Sequence, residues 1–203
     1  MNHHEMIKPD STPLTRTARL RAQTNVLHKK LDQRLQSERP FESLERYRLY
    51  LLVQAEFHNA LAPIYADKRL NALIPGLAAC ARANAVRQDM LDLGLTPLAL
   101  DPHASTKPIS DALGWLYVCE GSTLGAAFLL KFAAALGLTE KFGARHLGAA
   151  PEGRAEHWRR FSAALDAVEL PEAAETRAEF GANAAFCFVY ELVEQHFAPD
   201  APF

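Results

Sequence analysis

Cysteine is scarce in this 203-residue chain: Cys80, Cys119 and Cys187 stand far apart and are odd in number. There is no CxxC and no CxxCH, so a disulfide framework, a cysteine-rich zinc cluster and covalent c-type haem attachment are all disfavoured. Reduced, buried thiols of the cytoplasm are the expectation. A basic surplus is also missing. With 22 Lys and Arg against 24 Asp and Glu, the formal charge is −2, which argues against nucleic acid as the main partner because phosphate binding draws on clustered cations. The longest apolar stretch, AAFLLKFAAALGL, is interrupted by Lys131 and falls short of the ~20 residues a membrane span requires. The opening MNHHEMIKPDSTPL has no apolar core of a secretory leader, so residues 1–14 are expected to be a loose tail and the chain to be a soluble, cytoplasmic protein. Neither GxGxxG nor a Walker-type phosphate loop occurs, and HExxH is absent. Three residues before His28, His58, His103, His146, His157 and His196 stand Asn25, Ala55, Leu100, Gly143, Arg154 and Val193, so the Glu-x-x-His pairs of a ferritin-like di-iron centre are missing as well.

Sustained period-2 alternation is lacking too, whereas helical periodicity is abundant. Leu20, Leu27, Leu31 and Leu35 recur at helical spacing and place a helix from about Thr15 to Gln36, ending before Pro40. Ser43 reads as the N-cap of a second helix that runs to about Ala66. Shorter helices are predicted near Lys68 to Leu73 and from about Arg82 to Leu93, bounded by Pro75-Gly76 and by Gly94-Leu-Thr-Pro97. Asp101 to Pro108 reads as a loop, followed by a long helix from about Ser110 to Leu136. A further helix spans about Arg154 to Val168, and the last begins with Pro171 at or near its first position and runs to Phe197. The expected fold is all-α: a single-domain helical bundle over residues 15–198 with one internal cavity and a short C-terminal tail at 199–203.

Within the long helix, Gly121 and Gly125 lie four apart, although glycine costs roughly 0.5–1 kcal/mol relative to alanine in a helix interior. Bare backbone on one face implies a close neighbour, either a second helix or a flat ligand, and two glycines should permit a bend. Tyr117, at i−4 from Gly121, sets a polar aromatic tip on the same stripe. On the first helix, Thr24, His28, Leu31 and Leu35 share a face, which directs His28 towards the interior. Arg21 stands two turns before His28, roughly 10 Å at 1.5 Å per residue. A cation at one end of that stripe and an imidazole at the other would suit a flat metallated dianion, although a core histidine and a solvated arginine fit the same spacing.

These segments carry a resemblance. LRAQTNVLHKKLDQRL with His28, GWLYVCEGSTLGAAFLLK with Gly121 and Gly125, and FGARHL at 142–147 resemble the bacterial haem oxygenases of the haem-iron-acquisition branch, in matching order from about Leu20 to Phe197. The resemblance implies haem b as both cofactor and substrate, with His28 as the axial iron ligand on a proximal helix. A kinked distal helix would press the backbone of Gly121, Ser122 and Gly125 against the porphyrin. O2 and electrons from an external reductase or ferredoxin would open the ring to biliverdin, carbon monoxide and ferrous iron. A neutral imidazole, unlike a thiolate, does not drive early O–O cleavage, which agrees with chemistry on the porphyrin itself.

By the same alignment, Arg21 and Tyr117 correspond to propionate partners. Gln54 and His58, at i and i+4 on the second helix, correspond to residues that anchor distal waters able to deliver protons. Arg145 and His146 read as structural, and Phe186 and Phe188 as cavity lining or core. Some relatives seat the haem rotated through lysine contacts. Here Phe132 follows Lys131, and Arg21 and Tyr117 are present, so mainly biliverdin IXα is expected. The resemblance also implies a monomer. A haem carrier or sensor using His28 without ring cleavage, or an oxygenase supplying biliverdin to a phytochrome, would share these residues.

Overall fold

The computed structural model describes residues 14–99 and 107–198; residues 1–13 and 199–203 of the predicted tails, and residues 101–106 of the predicted loop, lie outside that range. Seven helices carry the described residues: α1 (Arg16–Ser37), α2 (Leu44–Ala66), α3 (Lys68–Leu73), α4 (Ala83–Asp92), α5 (Ile109–Ala135), α6 (Arg154–Ala167) and α7 (Glu172–His196). Single 3-10 turns at Leu77–Cys80 and Arg145–Leu147 complete the order. No strand occurs among the described residues, only isolated bridges from Thr139 to Phe142 and Gly143. Side chains cap the first two helices, at Ser43 as predicted and at Thr15, where the first helix is predicted to begin. Thr15 Oγ1 accepts from the Ala18 amide at 3.3 Å, and the Ser43 side chain accepts from the Arg46 amide at 3.3 Å. Pro171 sits one residue earlier than the first helical position, as the N-cap of α7.

The bundle is organised around α5, whose most extensive contact is with α7. The 27-residue α5 is long and apolar enough by composition to cross a membrane, with a mean hydropathy of 1.3, yet half of that window is buried inside the bundle. Small residues let the two backbones meet. A Cβ on Gly114 would overlap the Ala178 carbonyl and the Ala182 amide, and one on Gly181 would overlap the Asp111 carbonyl. Ala112, Ala178, Ala182 and Ala185 are fully buried around this crossing. Leu20 of α1, Leu51 and Leu61 of α2, and Leu113 and Leu116 of α5 extend the core outward.

Two buried charged residues fasten the ends. Arg16 donates to the Leu165 carbonyl, to the Val168 carbonyl at 2.6 Å and to Glu175 at 2.5 Å, tying the start of α1 to the end of α6 and the start of α7. Asp89, fully buried on α4, accepts from the Arg145 amide and the His146 amide, both at 2.9 Å, and from the His146 Nδ1–H at 2.8 Å. Asp89→Ala would leave two buried amides and an imidazole without an acceptor. A loss of about 3 kcal/mol is expected, read from the urea midpoint. A change under ~0.5 kcal/mol would show that the carboxylate does not hold this turn.

Candidate active site

Helices α1 and α5 come together where Tyr117 faces Thr24 and Arg21. Burial raises the Tyr117 hydroxyl above its ordinary pKa, opposed by a hydrogen bond with Thr24 and by the positive charge of Arg21. Thr24 is itself buried and donates to the Leu20 carbonyl at 2.7 Å. One side of the junction is therefore a half-buried phenol with a guanidinium beside it, the chemistry that holds a carboxylate.

One turn beyond Thr24 stands His28, and here the structure corrects the sequence. The heptad-like spacing predicts an interior histidine, but the His28 side chain is 61% exposed. Thr24 is buried, while Leu31 and Leu35 are half-buried, so the stripe rotates outward at the imidazole. The ring is not adrift: its Nε2 lies 3.5 Å from Asp32 Oδ2 one turn on, and the buried Phe186 of α7 packs against it at 5.4 Å between centroids. Phe186 thus belongs to this site. Phe188 instead packs on Trp115 at 5.5 Å, as a core residue.

Along α5, the glycines lie one and two turns beyond Tyr117 and are not a helix-packing notch. A Cβ on Gly125 would meet nothing within 4 Å, and one on Gly121 would only reach van der Waals contact with Trp158 at 3.6 Å. The backbone contact that requires glycine lies at Gly114. The helix runs unbroken through Gly121 and Gly125. Ser122 and Thr123 fold their hydroxyls back onto the carbonyls of Cys119 and Glu120, at 2.7 and 2.6 Å, which leaves main chain as the foremost feature of this stretch. Leu124, Phe128 and Phe132 continue the exposed face as an apolar strip.

The α2 pair divides. Gln54 is half-buried, whereas His58 one turn later is buried, and its Nδ1 has no hydrogen-bond partner in the protein. Burial lowers its pKa to about 3, helped by the neighbouring His146 and Arg82, so the imidazole is neutral at physiological pH. His146 is the counterpart that the sequence reading treats as structural. It does anchor the Arg145–Leu147 turn through Asp89, yet its Nε2 is buried without a partner as well. With Nδ1 bonded to Asp89, Nε2 keeps its own hydrogen-bonding capacity unused by the protein. The sequence carries no signal for this pairing, since 88 residues separate two histidines that only the tertiary fold brings near. Asp32, by contrast, was readable as the i+4 neighbour of His28.

The residues fit a flat, metallated, doubly acidic ligand. An accessible imidazole, a cation with a phenol, backbone at Gly125 on which an added Cβ meets no protein within 4 Å, and buried histidines with unpartnered ring nitrogens are present together.

The class follows from comparison with known proteins. The fold superimposes on the NO- and CO-bound heme oxygenase from Neisseria meningitidis with a TM-score of 0.86 and 43% identity, covering 94% of this chain and 98% of that one. Heme oxygenase PigA of Pseudomonas aeruginosa is 43% identical over 197 residues, 96% of this chain and the whole of that protein. This is therefore an all-α, oxidative haem-degrading enzyme. Residues 14–195 match the heme oxygenase family, and the chain belongs to it.

Proposed function

We propose that this enzyme seats haem between α1 and α5, with His28 as the axial ligand, and converts it to biliverdin IXα, carbon monoxide and ferrous iron. The observation that carries this reading is Gly125, whose missing side chain is required by nothing in the protein. When bound, haem supplies both the iron at which oxygen is reduced and the ring that is opened, and electrons come from an external reductase or ferredoxin. The protein's task is then placement and proton supply. Arg21 and Tyr117 hold propionate carboxylate, the first by charge and the second by its hydroxyl. The main chain at Gly121, Ser122 and Gly125 sets how close the distal wall approaches and towards which edge of the ring reaction is directed. Neutral His58, with Gln54 one turn away and His146 near, holds water that delivers protons, a role the self-bonded Ser122 and Thr123 hydroxyls cannot fill.

Regiochemistry follows from which residues grip the propionates. Lys131 Nζ lies 5.7 Å from the centroid of the Phe128 ring, and the next residue is the exposed Phe132, so α5 offers no lysine pair to compete with Arg21 and Tyr117. Purified protein mixed with hemin and a reductant under air should lose its Soret band as green pigment and carbon monoxide appear, with the IXα isomer dominant on chromatography. A Soret band that only shifts would mean a carrier. Predominant β and δ isomers would overturn the seating while leaving the oxygenase reading intact. We assign the catalytic unit to residues 15–198, acting as a cytoplasmic monomer that frees iron from haem for the cell's use.

A further inference from the structure

A second constellation lies beside Gly121, outside the residues assigned to haem. Cys80 closes the Leu77–Cys80 turn, Glu120 is the residue of α5 just before Gly121, and His157 lies in α6. One ligand atom from each falls within 4.8 Å of the others. We propose that Cys80, Glu120 and His157 form a binding site for a borderline divalent transition metal, of which Zn2+ is the best match.

The donor set fits the ion. Thiolate, imidazole and carboxylate are the three ligand types zinc prefers, and contracting the cluster to tetrahedral edges of about 3.5 Å needs only small side-chain movements. Charge balances, since one thiolate and one carboxylate against a neutral imidazole offset Zn2+ in a place where Glu120 and His157 are almost fully buried.

The surrounding groups are arranged as metal sites arrange them. The imidazole turns Nε2 towards Glu120 Oε2 at 2.6 Å and Nδ1 towards Glu152 at 3.5 Å, while Arg160 holds Glu152 at 2.9 Å. A ligating histidine whose other nitrogen faces a carboxylate is the recurring outer-shell pattern. Glu120 is anchored the same way: the Tyr65 hydroxyl donates to Oε1, which leaves Oε2 for the ion. Cys80 and His157 also line a cavity of about 210 Å³, shared with Ile74, Leu77, Arg160 and Phe161, which gives entry and room for a fourth ligand such as water.

On binding, the ion replaces the Cys80 thiol proton and the His157 Nε2 proton, both released to solvent with no change of oxidation state. Burial pushes the Cys80 thiol up to about 11, and the hydrogen bond to Glu120 raises His157, so affinity should climb with pH.

Co2+ serves as the probe, titrated into the haem-free full-length chain. One equivalent should bind with a sulfur-to-cobalt charge-transfer band, and Zn2+ should displace it. Cys80→Ser, at a half-buried position that tolerates the change, should abolish the band and weaken binding at least about tenfold, and Glu120→Gln should weaken it comparably. Cys187→Ser and the paired His3→Ala/His4→Ala should change neither. Absence of a sulfur band, or binding that survives Cys80→Ser but is lost with His3 and His4, would overturn the site and leave a purely structural Glu120–His157 ion pair.

Discussion

Gly125→Leu should fold as well as the parent and lose haem turnover. The two halves of that expectation come from the same geometry. A Cβ added at the exposed position 125 meets no neighbouring side chain or element within 4 Å, so a longer side chain starts into open space. Replacing glycine by a good helix former should instead stabilise α5 by about 0.5–1 kcal/mol. The Leu side chain would occupy space that the proposed seating gives to the porphyrin face. Displacing a substrate by even an ångström from its reactive geometry costs roughly 100-fold, and that is the expected fall in turnover. Gly114→Ala should behave in the opposite sense. Its Cβ runs into the Ala178 and Ala182 backbone, which cannot move without parting α5 from α7, so a loss of 3 kcal/mol or more is expected with near-normal turnover per folded molecule. Thermal midpoints measured beside single-turnover rates separate the cases. Unchanged turnover in Gly125→Leu would remove the glycine from the haem site.

That contrast also marks how far the sequence could be read. Helix positions were legible where a start or stop carries a local signal, as Ser43 does for the start of α2, Pro171 for that of α7 and Gly94 for the end of α4. The partner of each glycine was not legible. Gly114, Gly121 and Gly125 look alike in a string of residues, and only the position of α7 shows which one touches backbone. The exposure of His28 escaped for a related reason. Spacing places the residue on one stripe with Thr24, Leu31 and Leu35, but how far a neighbouring helix covers that stripe is a tertiary property. Here cover reaches Thr24 completely, the leucines partly and the imidazole only along its Phe186 edge. The approach of His58 to His146, and of Cys80, Glu120 and His157 to one another, depends likewise on helices distant in sequence.

His28→Ala isolates the proposed metal-ligand role because the exposure that contradicts the sequence pattern makes the residue structurally dispensable. The imidazole is mostly in solvent, and its pairing with Asp32 joins two side chains each more than half exposed, an interaction worth a few tenths of a kcal/mol at most. Stability should therefore stay within about 0.5 kcal/mol of the parent. Haem binding should not. Residues that merely orient a metal ligand contribute 10–100-fold in affinity or activity, so loss of the ligand itself should weaken the Soret-monitored complex by at least about 100-fold and stop ring opening. Arg21 and Tyr117 remain in the variant, so residual binding through the propionates is expected, with the spectrum of an iron lacking its protein imidazole. Exogenous imidazole should restore the parental Soret position and a measurable fraction of turnover, because truncation to alanine leaves space at an accessible position. A variant that keeps the parental spectrum without added imidazole would assign the axial position to another residue. One that regains the spectrum but no turnover would confine His28 to holding the substrate and place the chemistry wholly with the distal wall and its proton supply.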